Sequence, residues 1–191
     1  MPSLDSGTTQ LDPDEWDGLQ AGYGNGTDLI FCSSGSTTSL GSDTENYHQI
    51  CGRSFPNLKY GLSWNAVDDQ SQIMSDYDHQ FYLEREDHHL FSAPVGVLHR
   101  VLDLGTGTGV WADEIAAAYP SAEVIGTDIA PIQYGSQPNC RFEIENMNNK
   151  WAKAPGSYDL VHGRGLLGNA DNFYSLCTKA IAALKPAGYL E

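Results

Sequence analysis

The chain has 191 residues, with 25 Asp and Glu against 10 Lys and Arg, and a formal charge of −15. That length holds one domain and a tail. The acidity argues against nucleic acid as a direct ligand, because neutralising phosphates needs a basic face, and equally against an anionic membrane surface.

Residues 1–50 carry eight acids and no Lys or Arg, amid Ser, Thr, Gly and Asn. Such a stretch buries too little apolar surface to offset its ordering entropy, so residues 1–45 are predicted as a disordered acidic tail, a solvated leader rather than a partner-binding arm. No basic region followed by an apolar core opens the chain, which predicts no secretory signal. No apolar run reaches the ~18–20 residues that span a bilayer. Cys32, Cys51, Cys140 and Cys177 are widely spaced and are read as reduced thiols. A cytoplasmic or nuclear protein is expected.

Residues 46–95 are expected to form a helical N-terminal extension. Tyr47, Phe55, Tyr60 and Trp64 sit among Gly and Pro in an irregular stretch. A helix is predicted over Asp68–Phe91, with Ile73, Tyr77, Phe81 and His88 close to one face and Asp76, Asp78, Glu84, Glu86 and Asp87 mostly solvated. His88 and His89 are adjacent, so on a helix they point in different directions, and no metal site is expected.

From Arg100 the pattern alternates. Strands are predicted at Arg100–Leu104, Val124–Asp128, Arg141–Glu145, Tyr158–His162 and from Tyr189, with helices at Val110–Ala118 and Asp171–Lys185. The last helix should bury Phe173, Leu176, Ala180 and Leu184 and stop at Lys185-Pro186-Ala-Gly188. The expected fold of residues 96–191 is therefore α/β, a Rossmann-like parallel sheet with flanking helices and right-handed crossovers. Ligands of such sheets sit at the strands' C-terminal ends where strand order reverses. That puts Asp103, Asp128, Asn146 and His162 on one rim.

The most informative stretch is Val101-Leu-Asp-Leu-Gly-Thr-Gly-Thr-Gly109. A buried strand, a glycine turn and a helix let backbone approach a ligand at a helix N-terminus. The G-x-G-x-G spacing departs from a dinucleotide loop, which wants its third small residue where Val110 stands. Asp128 lies 23 residues beyond Gly105, near the roughly 20-residue offset at which a second-strand acid meets a ribose. Together these residues read as a nucleoside pocket with no residue marked out for a pyrophosphate.

At these positions the chain resembles the class I S-adenosylmethionine-dependent methyltransferases, in particular the fungal branch tied to secondary metabolism that also holds the velvet complex's methyltransferase-like regulator. The matching stretches are Val101–Trp111, Tyr119–Gln133, Asn139–Ile144, Tyr158–His162 and Leu184–Glu191, in family order, with a looser likeness over Tyr47–Pro94. The resemblance implies S-adenosyl-L-methionine as cofactor. It implies that Asp103, Gly105, Thr106, Gly107 and Gly109 cradle the methionine part, that Asp128 holds the ribose, that Ile129 packs on the adenine, and that the N-terminal helix helps roof the cleft. No catalytic nucleophile is required, since the leaving group is already activated, and no catalytic residue is assigned. His162 is read either as general base or as a histidine lining the cofactor cleft, and Arg164 either as a ligand for an acidic substrate group or as a surface pair.

Two departures from the family pattern stand out. After the third strand an acid usually meets the adenine amino group, whereas this chain carries Glu145-Asn146-Met147-Asn148-Asn149-Lys150. Asn146 keeps a carbonyl acceptor for that contact, with Glu145 as the other candidate. The chain also stops at Leu190-Glu191, inside the expected fifth strand, which predicts a C-terminally truncated sheet whose open edge invites homo- or hetero-association. The expected function is methyl transfer to an unidentified small-molecule or protein acceptor. The competing readings are a non-catalytic cofactor-binding or regulatory module and, against the glycine spacing, a nicotinamide-dependent oxidoreductase.

Overall fold

The computed structural model describes residues 30–33, 36–39, 46–61 and 63–191. Ile30–Ser33 (β1) and Ser36–Ser39 (β2) pair antiparallel, and the remainder of the tail expected over 1–45 lies outside the described residues. His48–Ile50 (β3) and Arg53–Phe55 (β4) form a second hairpin. Its tip is Cys51-Gly52, both at positive φ (50° and 78°), as a two-residue hairpin turn requires.

Asp69–Arg85 forms α1. Asp68 caps it: its carboxylate accepts from Ser71 N–H (3.1 Å) and binds Arg53 in two bonds of 2.6 and 2.9 Å. The Arg53 guanidinium holds the Asp68 carboxyl below the usual carboxylate range. The helix ends six residues before the expected Phe91, because Asp87 and His88 turn into the left-handed region (φ 51° and 61°), which a continuing helix does not admit.

The exposed face of α1 is also a correction. Ile73, Tyr77 and Phe81 are 39%, 49% and 66% exposed, whereas His79 is completely buried. The face turned inward is polar, and Asp76, expected in solvent, accepts from Thr108 Oγ1 (2.7 Å) and from the Tyr134 hydroxyl.

The remaining elements are Arg100–Leu104 (β5), Val110–Ala118 (α2), Glu123–Asp128 (β6), Cys140–Ile144 (β7), Tyr158–His162 (β8), Phe173–Ala183 (α3) and Leu184–Leu190 (β9). All five strands of this sheet are parallel, in the order β7-β6-β5-β8-β9. The two central strands β5 and β6, buried on both faces, are largely apolar runs, whereas β7 and β9 at the margins are half-buried or exposed. One face packs Val101, Val124 and Leu160 against Trp111, Ala112, Ile115 and Ala116 of α2. The other packs Leu102, Leu104, Ile125 and Val161 against Leu176, Ala180 and Ala183 of α3. Each fully buried aliphatic side chain contributes about 1.5–3 kcal/mol, so the two layers hold the sheet from both sides.

α3 and β9 correct the predicted boundaries. Phe173, expected inside, is 55% exposed, and the strand begins at Leu184 with no intervening loop. Pro186 disfavours helical backbone at Lys185 and lacks a donor, which an edge strand tolerates. Among the described residues β9 is that edge.

Candidate functional site

The sheet's strand order reverses at β5, with β6 on one side and β8 on the other. The C-terminal ends of these strands open into a cavity of about 260 Å³. It is lined by Asp103, Gly105, Thr106, Gly107, Asp128, Ile129, Asn146 and His162, so eight of the nine residues singled out from sequence meet at one place. Gly109 lies behind them as the N-cap of α2, at φ 85°. A Cβ there would run into the Phe142 ring at 2.5 Å, so the position requires glycine.

The glycine turn is pinned from below and beside. Thr106 N–H donates to Thr127 O (2.9 Å), Gln133 Nε2–H donates to Gly107 O (2.8 Å), and Tyr134 N–H donates to Thr108 O (3.0 Å). At Gly107 (φ 59°) a Cβ would meet nothing within 4 Å, because it would project into the open cleft. The backbone therefore offers a bare surface for a ligand to lie against.

Asp103 is 3% exposed and organises its neighbours. Thr106 Oγ1 donates to Asp103 Oδ2 (2.6 Å), and His162 Nδ1–H donates to Asp103 Oδ1 (2.7 Å). The His162 ring stacks on Trp111 with centroids 3.7 Å apart and planes 10° apart. Trp111 in turn donates from Nε1 to Leu90 O (2.7 Å). With Nδ1 carrying the proton, His162 Nε2 remains as an acceptor.

Asp128 accepts from Gly107 N–H at Oδ2 (2.9 Å) and from Ala130 N–H at Oδ1 (3.1 Å). These bonds fix its carboxylate and leave lone pairs for a ligand's hydroxyls. Burial pushes its pKa up to about 6, against the lowering effect of the backbone amides. Asn146, by contrast, is used locally: Nδ2–H donates to Tyr60 O (3.0 Å), and Oδ1 accepts from Asn148 N–H (2.9 Å). One lone pair of that oxygen remains. Glu145 pairs with Lys153 at 2.8 Å, and Lys153 also holds Glu143.

Several residues of the site have no signal in the local sequence pattern. Asp76, Gln133 and Tyr134 hold the glycine turn, and Leu166 and Met147 wall the cavity beside Gly105. His79 and Glu114 support Arg164 from behind. Contacts 26 to 85 residues apart leave no periodicity to read. Among the described residues no group of three or more His, Cys, Asp or Glu is placed to hold a metal ion.

A methyltransferase domain family matches residues 77–191, which carry the glycine turn and most of the cleft's lining. The chain belongs to that family. It is 35% identical over 153 residues to the protein-methionine methyltransferase laeA of Emericella nidulans, covering 78% of this chain and 41% of that protein. It is 33% identical over 159 residues to the methyltransferase pytC of Aspergillus terreus, covering 82% and 49%. The secondary metabolism regulator laeA of Aspergillus flavus matches 96% of this chain and 50% of its own length at 33% identity. The chain thus spans about half the length of the curated relatives it matches. Among solved structures, a chain from the complex of the Haloferax volcanii Trm112 methyltransferase activator with its methyltransferase superposes with a TM-score of 0.56 at 20% identity, covering 65% of this chain and 56% of that one. The fold is that of S-adenosylmethionine-binding methyltransferases, with five parallel strands in the large sheet among the described residues, fewer than the family's full sheet.

Proposed function

We propose that this methyltransferase-family chain binds S-adenosyl-L-methionine in the 260 Å³ cleft and directs its methyl group to an acceptor nucleophile. The observation that carries the reading is the pairing of Gly107, whose missing Cβ leaves the cleft floor bare, with the half-buried Asp128 carboxylate bonded to the same residue's amide. That combination suits a nucleoside: carboxylate for the ribose hydroxyls, open backbone for the rest. Bound there, the cofactor supplies an electrophilic methyl on a sulfonium. Asp128 would grip the ribose, Ile129 would pack on the base, and Asn146 would offer its remaining lone pair to the adenine amino group. Gly105, Thr106, Gly107 and Gly109 would cradle the amino-acid end.

The chain's own work is then positioning and exclusion of water. Asp103 holds His162 in the tautomer whose Nε2 accepts, so His162 can receive a proton from a hydroxyl or amine acceptor. A second reading, a cofactor-binding regulatory module without turnover, is favoured by the regulator names of several relatives. Association of further sequence or another polypeptide along β9 fits either reading, as does a cytoplasmic or nuclear setting.

Calorimetric titration with S-adenosylmethionine tests the proposal. Charge-assisted bonds contribute about 1.5–3 kcal/mol each, so Asp128→Ala should weaken binding on the order of a hundredfold. Unchanged affinity in that variant, or no binding by the parent chain, refutes it. Binding without transfer of labelled methyl to any acceptor favours the regulatory module.

A further inference from the structure

A second cavity, about 230 Å³, lies beside the first, and the two share Tyr82, His162 and Arg164 as a common wall. Arg164 is the residue in that wall whose chemistry is unspent. Its guanidinium donates to His79 Nδ1 (2.8 Å) and lies 4.5 Å above the Tyr82 ring centroid. An arginine cannot accept, so His79 Nδ1 must. The His79 proton is therefore on Nε2, donated to Glu114 Oε2 at 3.0 Å. His79 is completely buried, so the prop is held in place by its packing.

The arrangement leaves a cation without an anion. Arg85, the other permanent cation lining either cavity, is paired with Glu86 at 2.9 Å. Among the described residues no carboxylate lies within 4.0 Å of the Arg164 guanidinium. Three acids act on it from farther off: Asp103 is already committed to Thr106 and His162, Glu114 to His79, and Asp78 makes no bond to the guanidinium. Withdrawal from water holds the Arg164 pKa below its ordinary value. A half-buried, unpaired guanidinium is costly by itself. A planar oxyanion offers two parallel bonds and repays that cost.

We propose that Arg164, oriented by the His79–Glu114 pair, is a carboxylate-binding residue at the seam of the two cavities. The carboxylate has two sources: the amino-acid arm of an adenosyl ligand in the first cavity, or an acceptor seated in the second. The first source rests on the function proposed above, and the second does not. His79 and Glu114 are positioning residues, acting through Arg164.

The test titrates the full chain, Arg164→Met and Arg164→Lys with S-adenosylhomocysteine, with 5′-methylthioadenosine, which lacks the amino-acid arm, and with benzoate as a planar carboxylate. If the cofactor arm is the partner, both variants bind S-adenosylhomocysteine about tenfold or more weakly while methylthioadenosine is unaffected. If an acceptor is the partner, both nucleosides keep their affinity, and saturable benzoate binding by the parent is lost in both variants. His79→Phe, which keeps the ring packing and removes the prop, should reproduce whichever loss occurs. Equal binding of all three probes by parent and variants overturns the proposal. So does a loss of methylthioadenosine binding in both variants, which would make Arg164 a support of the fold. Should the parent bind no nucleoside yet bind benzoate through Arg164, the methyl-transfer reading fails and this one stands.

Discussion

At the level of single residues the site rests on two acids that burial treats differently. Asp103 spends its oxygens on Thr106 and His162, whereas Asp128 receives only backbone amides and is pushed up to about 6. The sign of the second effect is definite. A carboxyl whose folded pKa lies above its unfolded value costs nothing below about pH 4, and the penalty on folding builds between about pH 4 and 6 and is constant above. Ribose hydroxyls donate more strongly to the ionised form, which can accept from both of them, so ligand affinity should run the other way. It should climb with pH up to about 6, level off above, and be matched by proton release on binding. Calorimetry in buffers of different ionisation enthalpy between pH 5 and 7.5 reads both quantities. Asp128→Asn should flatten the profile, and a parent affinity constant across that range would contradict the assignment. Both acids were visible in the sequence because Asp103 interrupts one apolar run just before the glycine turn and Asp128 ends the next. Gln133 and Asp76, which hold the glycine turn, and His79, which props Arg164, were not, because their bonds to Gly107, Thr108 and Glu114 span 26, 32 and 35 residues and follow from the packing of the helices.

Among the elements, the strands of the large sheet were legible and α1 was misread in a consistent way. A strand buried on both faces announces itself by composition, and β5, β6, β7 and β8 begin and end within one residue of the predicted bounds. A helix announces its inner face only if that face is the apolar one. In α1 it is not: Ile73, Tyr77 and Phe81 look outward, while Asp76 and His79 reach across to the glycine turn and to α2. Polar bonds decide the rotation of this helix, and apolar periodicity points to the wrong side. If so, Asp76→Ala should release the middle of α1 without unfolding the sheet. Hydrogen exchange of the α1 amides should speed up severalfold, while β5 and β6 amides keep their protection. The same variant removes the bonds from Thr108 and Tyr134 to a charged acceptor, so it should loosen the Thr108 turn and weaken adenosyl-ligand binding by about tenfold. Unaltered exchange in α1 would mean that its rotation is set by something other than Asp76.

For the whole molecule, the question is what the sheet does at its two margins. Beyond β7, the backbone of β1 lies close by. Beyond β9 no strand pairs among the described residues, and Leu190 is 38% exposed, close to where Glu191 O accepts from Gly163 N–H. Two devices blunt this edge: Pro186 removes a donor, and Ala187 at φ 64° bends the strand. Both sit in its first half, so Gly188 to Leu190 keep their outward backbone groups in extended form. An edge of that kind pairs with another strand when one is supplied. The high net negative charge opposes close approach of two copies, but salt screens it, with a Debye length of about 10 Å at 0.1 M and 3 Å at 1 M. Self-association should therefore rise with ionic strength, the reverse of an ion-paired interface. Sedimentation velocity at 0.05 M and 0.5 M salt should show the larger species only at the higher value, and Leu190→Lys should suppress it. A monomer at every concentration and salt level would mean that Pro186 and Ala187 protect the whole strand.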